Sequence, residues 1–147
     1  MSPAKTPDFL TAVIDYIEAE GVATFGTTMY AGQYPSTAPD ECILVRMSAG
    51  PEASKEVPLA RPMIQVLSRA LYYPAAAERI QRIYELFHGY VDTAGKWVAH
   101  HNYQLGDFYV YESRAIQQPG DISPDGKDRA ELSVNFMFKI KVPARKV

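Results

Sequence analysis

Three kinds of residue in this chain could do chemistry: three histidines, one cysteine and a segment rich in aspartate and glycine. His100 and His101 are adjacent, so on a strand they would point to opposite faces and could not bind one ion together. His88 could join only one of them. The chain contains no Gly-x-Ser-x-Gly or His-Glu-x-x-His motif. We therefore expect hydrogen-bonded or exposed histidines, no catalytic residues, no metal and no cofactor.

The segment that begins at Gly120 superficially resembles two ion-binding loops. As a phosphate-binding loop it fails, because Gly120 and Gly126 are one residue too far apart and Asp128 stands where a hydroxyl must bind magnesium. As a calcium loop it fails at its twelfth position, where Leu132 replaces the bidentate glutamate. The composition favours an exposed turn around Asp125 instead.

The single cysteine, Cys42, opens an apolar run that extends to Val45 and is typical of a buried strand. We interpret it as a buried, unreactive thiol, and a chain without internal disulfides fits a reducing compartment. The first residues lack the apolar core of a signal peptide. No apolar stretch approaches the roughly 18 residues of a spanning helix. Neither signal-directed secretion nor membrane insertion is therefore expected.

Length and charge limit the class of protein further. The 147 residues predict a single domain over 1–147, with flexible tails at 1–5 and 143–147. A net charge of −2 argues against a general binder of nucleic acid or anionic membranes. Eleven prolines and nine glycines indicate long connections between elements.

The elements follow from periodicity and from turn residues. Thr6 as N-cap, Pro7 in the first turn and Gly21 as the stop predict the first helix, and a second helix begins at Pro74 and ends at Gly89. Strands are predicted over residues 24–31, 42–47, 63–71, 108–117 and 132–142. The order predicts an α+β fold, an antiparallel sheet of about four to five strands with two helices packed on one face and long loops.

The last strand has the clearest pattern, and it carries candidate interface residues. Apolar and polar residues alternate from Leu132 to Val142, which predicts one buried face and one facing solvent or a partner. Basic residues gather near this end of the chain: Arg129, Lys139, Lys141, Arg145 and Lys146. They fit either a solvated strand face with a frayed tail or a patch for an acidic partner or passing DNA.

Tyrosines form a second candidate patch. Tyr103, Tyr109 and Tyr111 lie in the strand-rich C-terminal half, and the acidic balance of the chain favours a core or subunit-interface role over stacking on nucleic acid.

Two segments resemble small tail-completion proteins of long-tailed bacteriophages, which are often labelled minor capsid or tail-terminator proteins. The first is Arg61-Pro62-x-Ile64-Gln65-Val66-x-x-Arg69, followed by an aromatic residue and a helix. The second is Pro119-Gly120-x-Ile122, followed by Asp125-x-x-x-Arg129-x-Glu131-x-Ser133-x-Asn135-Phe136. The order of elements also matches that family, and the resemblance spans residues 8–142.

The resemblance implies a structural virion protein, assembled in the host cytoplasm and located in the tail or neck. In that family a ring, usually of six copies, caps the head-proximal end of the tail tube. The ring stops tube polymerisation, docks onto the neck beneath the portal and leaves a channel for DNA. The implied partners are therefore further copies of the chain, the tail tube protein and a head–tail connector or stopper protein. DNA is implied only in passage, and no membrane is involved.

We expect subunit or partner contacts at the motif residues, the tyrosines and the polar face of the last strand: Arg61, Gln65, Arg69, Tyr103, Tyr109, Tyr111, Arg129, Glu131, Asn135, Lys139 and Lys141. Two alternatives remain open. One is another ring-forming neck component, such as a head-completion or stopper protein. The other is a cellular ligand-binding or hydrolytic α+β domain, which would need convergent polar groups in a pocket.

Overall fold

A computed structural model describes residues 8–51, 53–122 and 129–144 of the chain. Several predicted features lie outside these residues, namely the N-cap Thr6, the first-turn Pro7, the turn around Asp125, the basic pair Arg145 and Lys146, and the tail segments 1–5 and 145–147.

Two helices and ten strands make up the described part of the chain. They are α1 (Phe9–Ala19), β1 (Met29–Ala31), β2 (Cys42–Ser48), β3 (Leu59–Ala60), β4 (Met63–Ala70), α2 (Tyr73–Phe87), β5 (Gly89–Val91), β6 (Trp97–Ala99), β7 (His101–Leu105), β8 (Phe108–Ala115), β9 (Gly120–Ile122) and β10 (Ala130–Lys141). Within these residues, no helix is long and apolar enough to cross a membrane.

Eight of the strands form one sheet in which β10 occupies the centre. Strands β4 and β3 pair with one side of β10, and strands β8 and β9 pair with the other. The order along the sheet is β1-β2-β4-β10-β8-β7, while β5 and β6 form a separate two-stranded sheet. The α+β class is confirmed.

The predicted number of strands and the predicted purely antiparallel arrangement of the sheet were wrong. The sheet has eight strands rather than four or five, and it is mixed, because β1 pairs with β2 in parallel. Strands β3 and β9 are only two or three residues long, too short for an alternating pattern to reveal them. The predicted strand over 24–31 is confined to its last three residues because the preceding residues form a turn, in which the N–H groups of Thr28 and Met29 donate to the Thr24 carbonyl.

Strand β10 confirms the alternating pattern of the last strand. Its inward residues are buried, and they are Leu132, Val134, Phe136, Phe138 and Ile140. Both helices pack on this side of the sheet, since the rings of Phe9 in α1 and Phe87 in α2 lie 5.0 and 5.4 Å from the Phe138 ring. We call this the helix side and the opposite side the outer face.

The first and last residues of the two helices differ slightly from the predicted ones. Asp8 caps α1, because its carboxylate accepts hydrogen bonds from the Leu10 N–H (3.0 Å) and the Thr11 hydroxyl (2.8 Å). The helix therefore begins after Asp8 rather than at Pro7, and Gly21 ends it with a positive φ of 75°. Helix α2 begins at Tyr73, with Pro74 in its first turn, and Gly89 belongs to β5 instead.

Candidate assembly surface

The outer face of the sheet carries most of the predicted interface residues, because they occupy the non-core positions of neighbouring strands. Asn135 on β10 pairs with Gln65 on β4, which in turn pairs with Arg46 on β2. On the other side of β10, Lys139 pairs with Glu112 on β8. These polar residues therefore extend across four strands of the outer face.

A loop over residues 32–41, which we call the covering loop, lies on one half of this face. Arg69 of β4 fastens the loop, since its guanidinium donates to the carbonyls of Pro39 (2.8 Å) and Asp40 (3.4 Å). The same guanidinium stacks 4.0 Å from the ring centre of Tyr34. Arg69 is only 5% exposed, so its side chain acts as a buried anchor.

Burial under the covering loop perturbs two titratable groups. The pKa of Tyr34 is raised, chiefly by burial and then by the nearby Glu131 carboxylate, with Arg69 opposing the shift. Burial also raises the pKa of the Cys42 thiol, against the lowering effect of Arg69. Cys42 is therefore a buried thiol held in its neutral form, as its sequence context predicted. The Tyr34 hydroxyl has no hydrogen-bond partner among the described residues.

The other half of the outer face is open and basic. On β2 and β4, the Arg46 Nε donates to the Gln65 side-chain oxygen at 2.7 Å. A shallow depression is lined by Arg61, Glu112, Arg114, Met137 and Lys139. Four of these five side chains are charged and three are cationic, so this surface suits an acidic partner.

An apolar groove adjoins the basic half. Its volume is about 300 Å³, and it is lined by Val57, Pro58, Leu59, Tyr111 and Lys139. The rings of Tyr109 and Tyr111 meet edge to face at 5.1 Å beside it, each more than a third exposed. The groove therefore combines exposed aromatic and aliphatic surface with a cationic rim.

The structure brings together ten of the eleven predicted interface residues on the outer face. Arg61, Gln65, Tyr109, Tyr111, Asn135, Lys139 and Lys141 belong to the part that the covering loop leaves open, whereas Arg69, Arg129 and Glu131 lie beside that loop. Arg129 reaches the Asp40 carboxylate at 3.2 Å, which ties the loop at a second point.

Tyr103 is the exception, because it lies on the helix side. It pairs with the core residue Val110, and its hydroxyl donates to the Ser113 hydroxyl at 2.7 Å, which donates to the Phe87 carbonyl at 2.6 Å. Asn102, just before it within β7, has a positive φ of 54°. Tyr103 is thus partly buried against the core rather than part of the exposed tyrosine pair.

Two histidines take part in polar contacts that the sequence did not specify. The His100 Nε2 lies 3.4 Å from the Tyr16 hydroxyl, and its ring stacks 3.9 Å from Tyr103. Burial, followed by the neighbouring His101, lowers the pKa of His100. His88 accepts a hydrogen bond from the Ala115 N–H at 3.0 Å. No three metal-binding side chains converge within the described part of the chain.

Two comparisons with known proteins found matches, one to a family and one to a fold. The family model described as "Bacteriophage tail terminator protein" matches residues 16–142. A solved structure titled "Virion of native gene transfer agent (GTA) particle" contains a chain with the same fold, at a TM-score of 0.59 and 12% identity. That likeness covers 90% of this chain and 93% of the other. No curated protein sequence matches.

Proposed function

The chain belongs to the bacteriophage tail terminator family, and from this premise we propose that it forms a ring that caps the head-proximal end of a tail tube. A structural role in the virion tail follows from the membership itself. The ring stops tube polymerisation and joins the tail to the neck. It does so by binding alone, without catalytic residues.

The match over residues 16–142 carries this proposal. It includes the whole eight-stranded sheet and α2, so it covers the outer face as well as the core. The candidate surfaces therefore lie within the part of the chain that defines the family.

The distribution of charge supports a ring built from one repeated contact. Acidic side chains project from α1 and its two caps, at Asp8, Asp15, Glu18 and Glu20. On the open part of the outer face cations outnumber carboxylates, with Arg46, Arg61, Arg114, Lys139 and Lys141 beside Glu112. Two unlike surfaces on one chain favour a heterologous contact, which closes into a ring when the rotation between copies allows it.

We assign the open part of the outer face to contacts with further copies, with the tail tube protein and with a connector or stopper protein. We propose six copies for the ring and DNA as a molecule that passes through its channel. A net charge of −2 suits passage, because retention of DNA on the phosphate backbone needs a cationic channel.

Silencing the gene in an infected host tests the proposed function. Electron micrographs of the lysate should show tubes of uncontrolled length and filled heads without tails, because no ring ends polymerisation or offers a docking site. Tubes of normal length beside tailless heads would instead assign the protein to head completion. Normal particles would exclude both roles.

A further inference from the structure

The β5–β6 hairpin, residues 89–99, is exposed over most of its length. Its three residue pairs run from Gly89 with Ala99 at the base to Val91 with Trp97 near the turn. Val91 and Trp97 are 62% and 51% exposed. The contacts that fix the orientation of the hairpin relative to the main sheet therefore lie at its base, where the chain enters and leaves it.

His88 lies directly before the hairpin and links it to the main sheet. Its Nδ1 accepts a hydrogen bond from the Ala115 N–H of β8 at 3.0 Å. The Trp97 ring meets the His88 imidazole edge to face at 5.7 Å. Trp97 also covers Gly89, where an added Cβ would come within 2.9 Å of the indole ring. One histidine therefore connects strand β8 to the only tryptophan of the chain.

His100 forms a second link, where the chain leaves the hairpin. Its N–H approaches the His88 carbonyl at 3.5 Å, so the two histidines flank the base. The His100 ring stacks 3.9 Å from Tyr103 of β7, and its Nε2 lies 3.4 Å from the Tyr16 hydroxyl of α1. The base of the hairpin is thus attached to β8 through one imidazole and to α1 and β7 through another.

The hydrogen bond to His88 requires a neutral imidazole. A ring nitrogen that accepts a hydrogen bond has a free lone pair, and a proton on that nitrogen turns it into a donor. In the protonated ring, Nδ1–H would face the Ala115 N–H, so repulsion between two donors would replace the bond. Because this bond is partly buried, the unpaired N–H of Ala115 would cost free energy unless the ring moved away.

The surroundings of His100 also favour a neutral ring. Burial, followed by the neighbouring His101, lowers the pKa of His100, while the Glu20 carboxylate opposes this shift. Histidine is the side chain whose charge ordinarily changes between about pH 5 and 8, so one mild acidification reaches both links.

Titratable and charged groups face the two rings from the surrounding elements. They are Tyr84 and, three residues before His88, Glu85 on α2; Tyr16 and Glu20 on α1; and His101 and Tyr103 on β7. Strand β8 faces His88 with the Ala115 backbone, since the Arg114 side chain lines the depression on the outer face. The two carboxylates favour protonated rings, whereas burial of His100 and the Ala115 N–H at His88 favour neutral ones.

We propose that His88 is an acid-sensitive latch, reinforced by His100, which fixes the hairpin at neutral pH and releases it on protonation. Release leaves the eight-stranded sheet in place, because β5 and β6 form a sheet of their own. The hairpin then moves about its base as a unit, and Trp97 leaves the His88 ring. The latch is a property of the single chain and does not require the proposed ring.

Time-resolved fluorescence anisotropy of Trp97 measures the motion of the hairpin directly, since no other tryptophan contributes. At about pH 7.5 the anisotropy of the wild-type protein should decay only with overall tumbling. At about pH 5 a faster component on the nanosecond timescale should appear, because the released hairpin moves independently. Far-ultraviolet circular dichroism should be the same at both pH values, since the main sheet and the helices stay folded.

Two substitutions of His88 have opposite expected results. His88→Asn keeps an uncharged acceptor for the Ala115 N–H, so the fast component should be absent at both pH values. His88→Phe keeps an aromatic ring against Trp97 but removes the acceptor, so the fast component should already be present at about pH 7.5. His101→Gln is the matched control, because its exposed side chain belongs to neither link, and it should behave as the wild type does.

Three results would overturn the latch. The first is a wild-type protein whose Trp97 shows no fast component at either pH. The second is a fast component at acid pH that is equally large in His88→Asn, which would assign the release to other groups. The third is a fast component that appears only together with loss of the circular dichroism signal, since this would be unfolding of the whole chain rather than release of the hairpin.

Discussion

Arg69 shows how one side chain can organise a surface that has no catalytic chemistry. Its guanidinium satisfies two backbone carbonyls of the covering loop and stacks on Tyr34, all at a nearly buried position. Because a planar group with several donors meets this geometry, lysine is no substitute. Within the chain, the arginine of the family-like motif therefore holds this loop.

Replacing Arg69 by methionine keeps most of the volume and removes every one of these contacts. We expect a loss of about 2–4 kcal/mol in the free energy of unfolding, because two partly buried hydrogen bonds from a charged donor and the stacking on Tyr34 are lost. Urea denaturation measures this loss, and hydrogen exchange should show faster exchange in residues 32–41.

Tyr34→Phe is the matched control for that experiment. It keeps the ring under Arg69 and removes a hydroxyl that has no hydrogen-bond partner among the described residues, so stability should stay the same or rise. A change of less than about 0.5 kcal/mol in the Arg69 variant would contradict the anchoring role.

The lowered pKa of His100 predicts that the free energy of unfolding depends on pH. Burial lowers its pKa below the ordinary value of 6.5, so the folded protein binds this proton less readily than the unfolded chain. Stability should therefore be complete above about pH 6.5 and decrease as the pH falls from there towards the folded-state pKa. Thermal unfolding between pH 7.5 and 5, at steps of about half a unit, measures the slope.

His100→Gln should flatten this slope, since it removes the titrating group beside Tyr16 and Tyr103. His101→Gln is the control, because the exposed neighbour only contributes to the shift and the acid dependence should largely persist. An unchanged slope in the His100 variant would assign the acid sensitivity to other groups.

At the scale of elements, β10 organises the fold. It pairs with four strands and supplies the inward aromatic residues against which both helices pack. Its opposite residues form the middle of the outer face, so one strand connects the core to the candidate assembly surface.

Phe138→Ala should therefore be among the most destabilising single changes, at about 3–5 kcal/mol, because it leaves a cavity between Phe9 and Phe87. Met137→Ala, one residue away on the outer face, should cost far less, because Met137 is only partly buried. Calorimetric unfolding of both variants gives the comparison, and similar losses would contradict the assignment of the two faces.

The sequence predicted those elements that carry their own periodic pattern. The long strand β10, the strands β2, β4 and β8 and both helices were located within a few residues, because each has a clear apolar face or cap. Strands β3 and β9 escaped prediction because their pairing is dictated by neighbouring strands rather than by their own residues.

The residues of the candidate surface were also predictable where they carry an alternating pattern. Alternation placed Asn135 and Lys139 on the face opposite to the core, and the sequence grouped Tyr103, Tyr109 and Tyr111 as one patch. Local patterns could not show that Tyr103 pairs with Val110 on the helix side, since that depends on the register between β7 and β8. The apolar groove also depends on tertiary placement, which local patterns do not contain.

At the scale of the whole molecule, a small net charge conceals two unlike surfaces. The solvent side of α1 is acidic, the open outer face is basic, and the sum over the chain is only −2. This arrangement disfavours contact between like faces and favours head-to-tail contact, which is the geometry that a closed ring needs.

Salt should therefore weaken assembly. Raising NaCl from about 0.1 to 1 M shortens the Debye length from about 10 to about 3 Å, so the attraction between acidic and basic surfaces is screened. We expect the concentration for half assembly to increase several-fold in sedimentation experiments. An unchanged or lower concentration would show that apolar contacts alone hold the copies together.

The central claim, a ring at the head-proximal end of the tail tube, is tested most directly by cryo-electron microscopy of whole particles. The account predicts one ring of this chain between the tube and the neck, with a single copy number in all particles and an open channel along its axis. Density for the chain along the length of the tube, on the capsid or nowhere in the particle would contradict it.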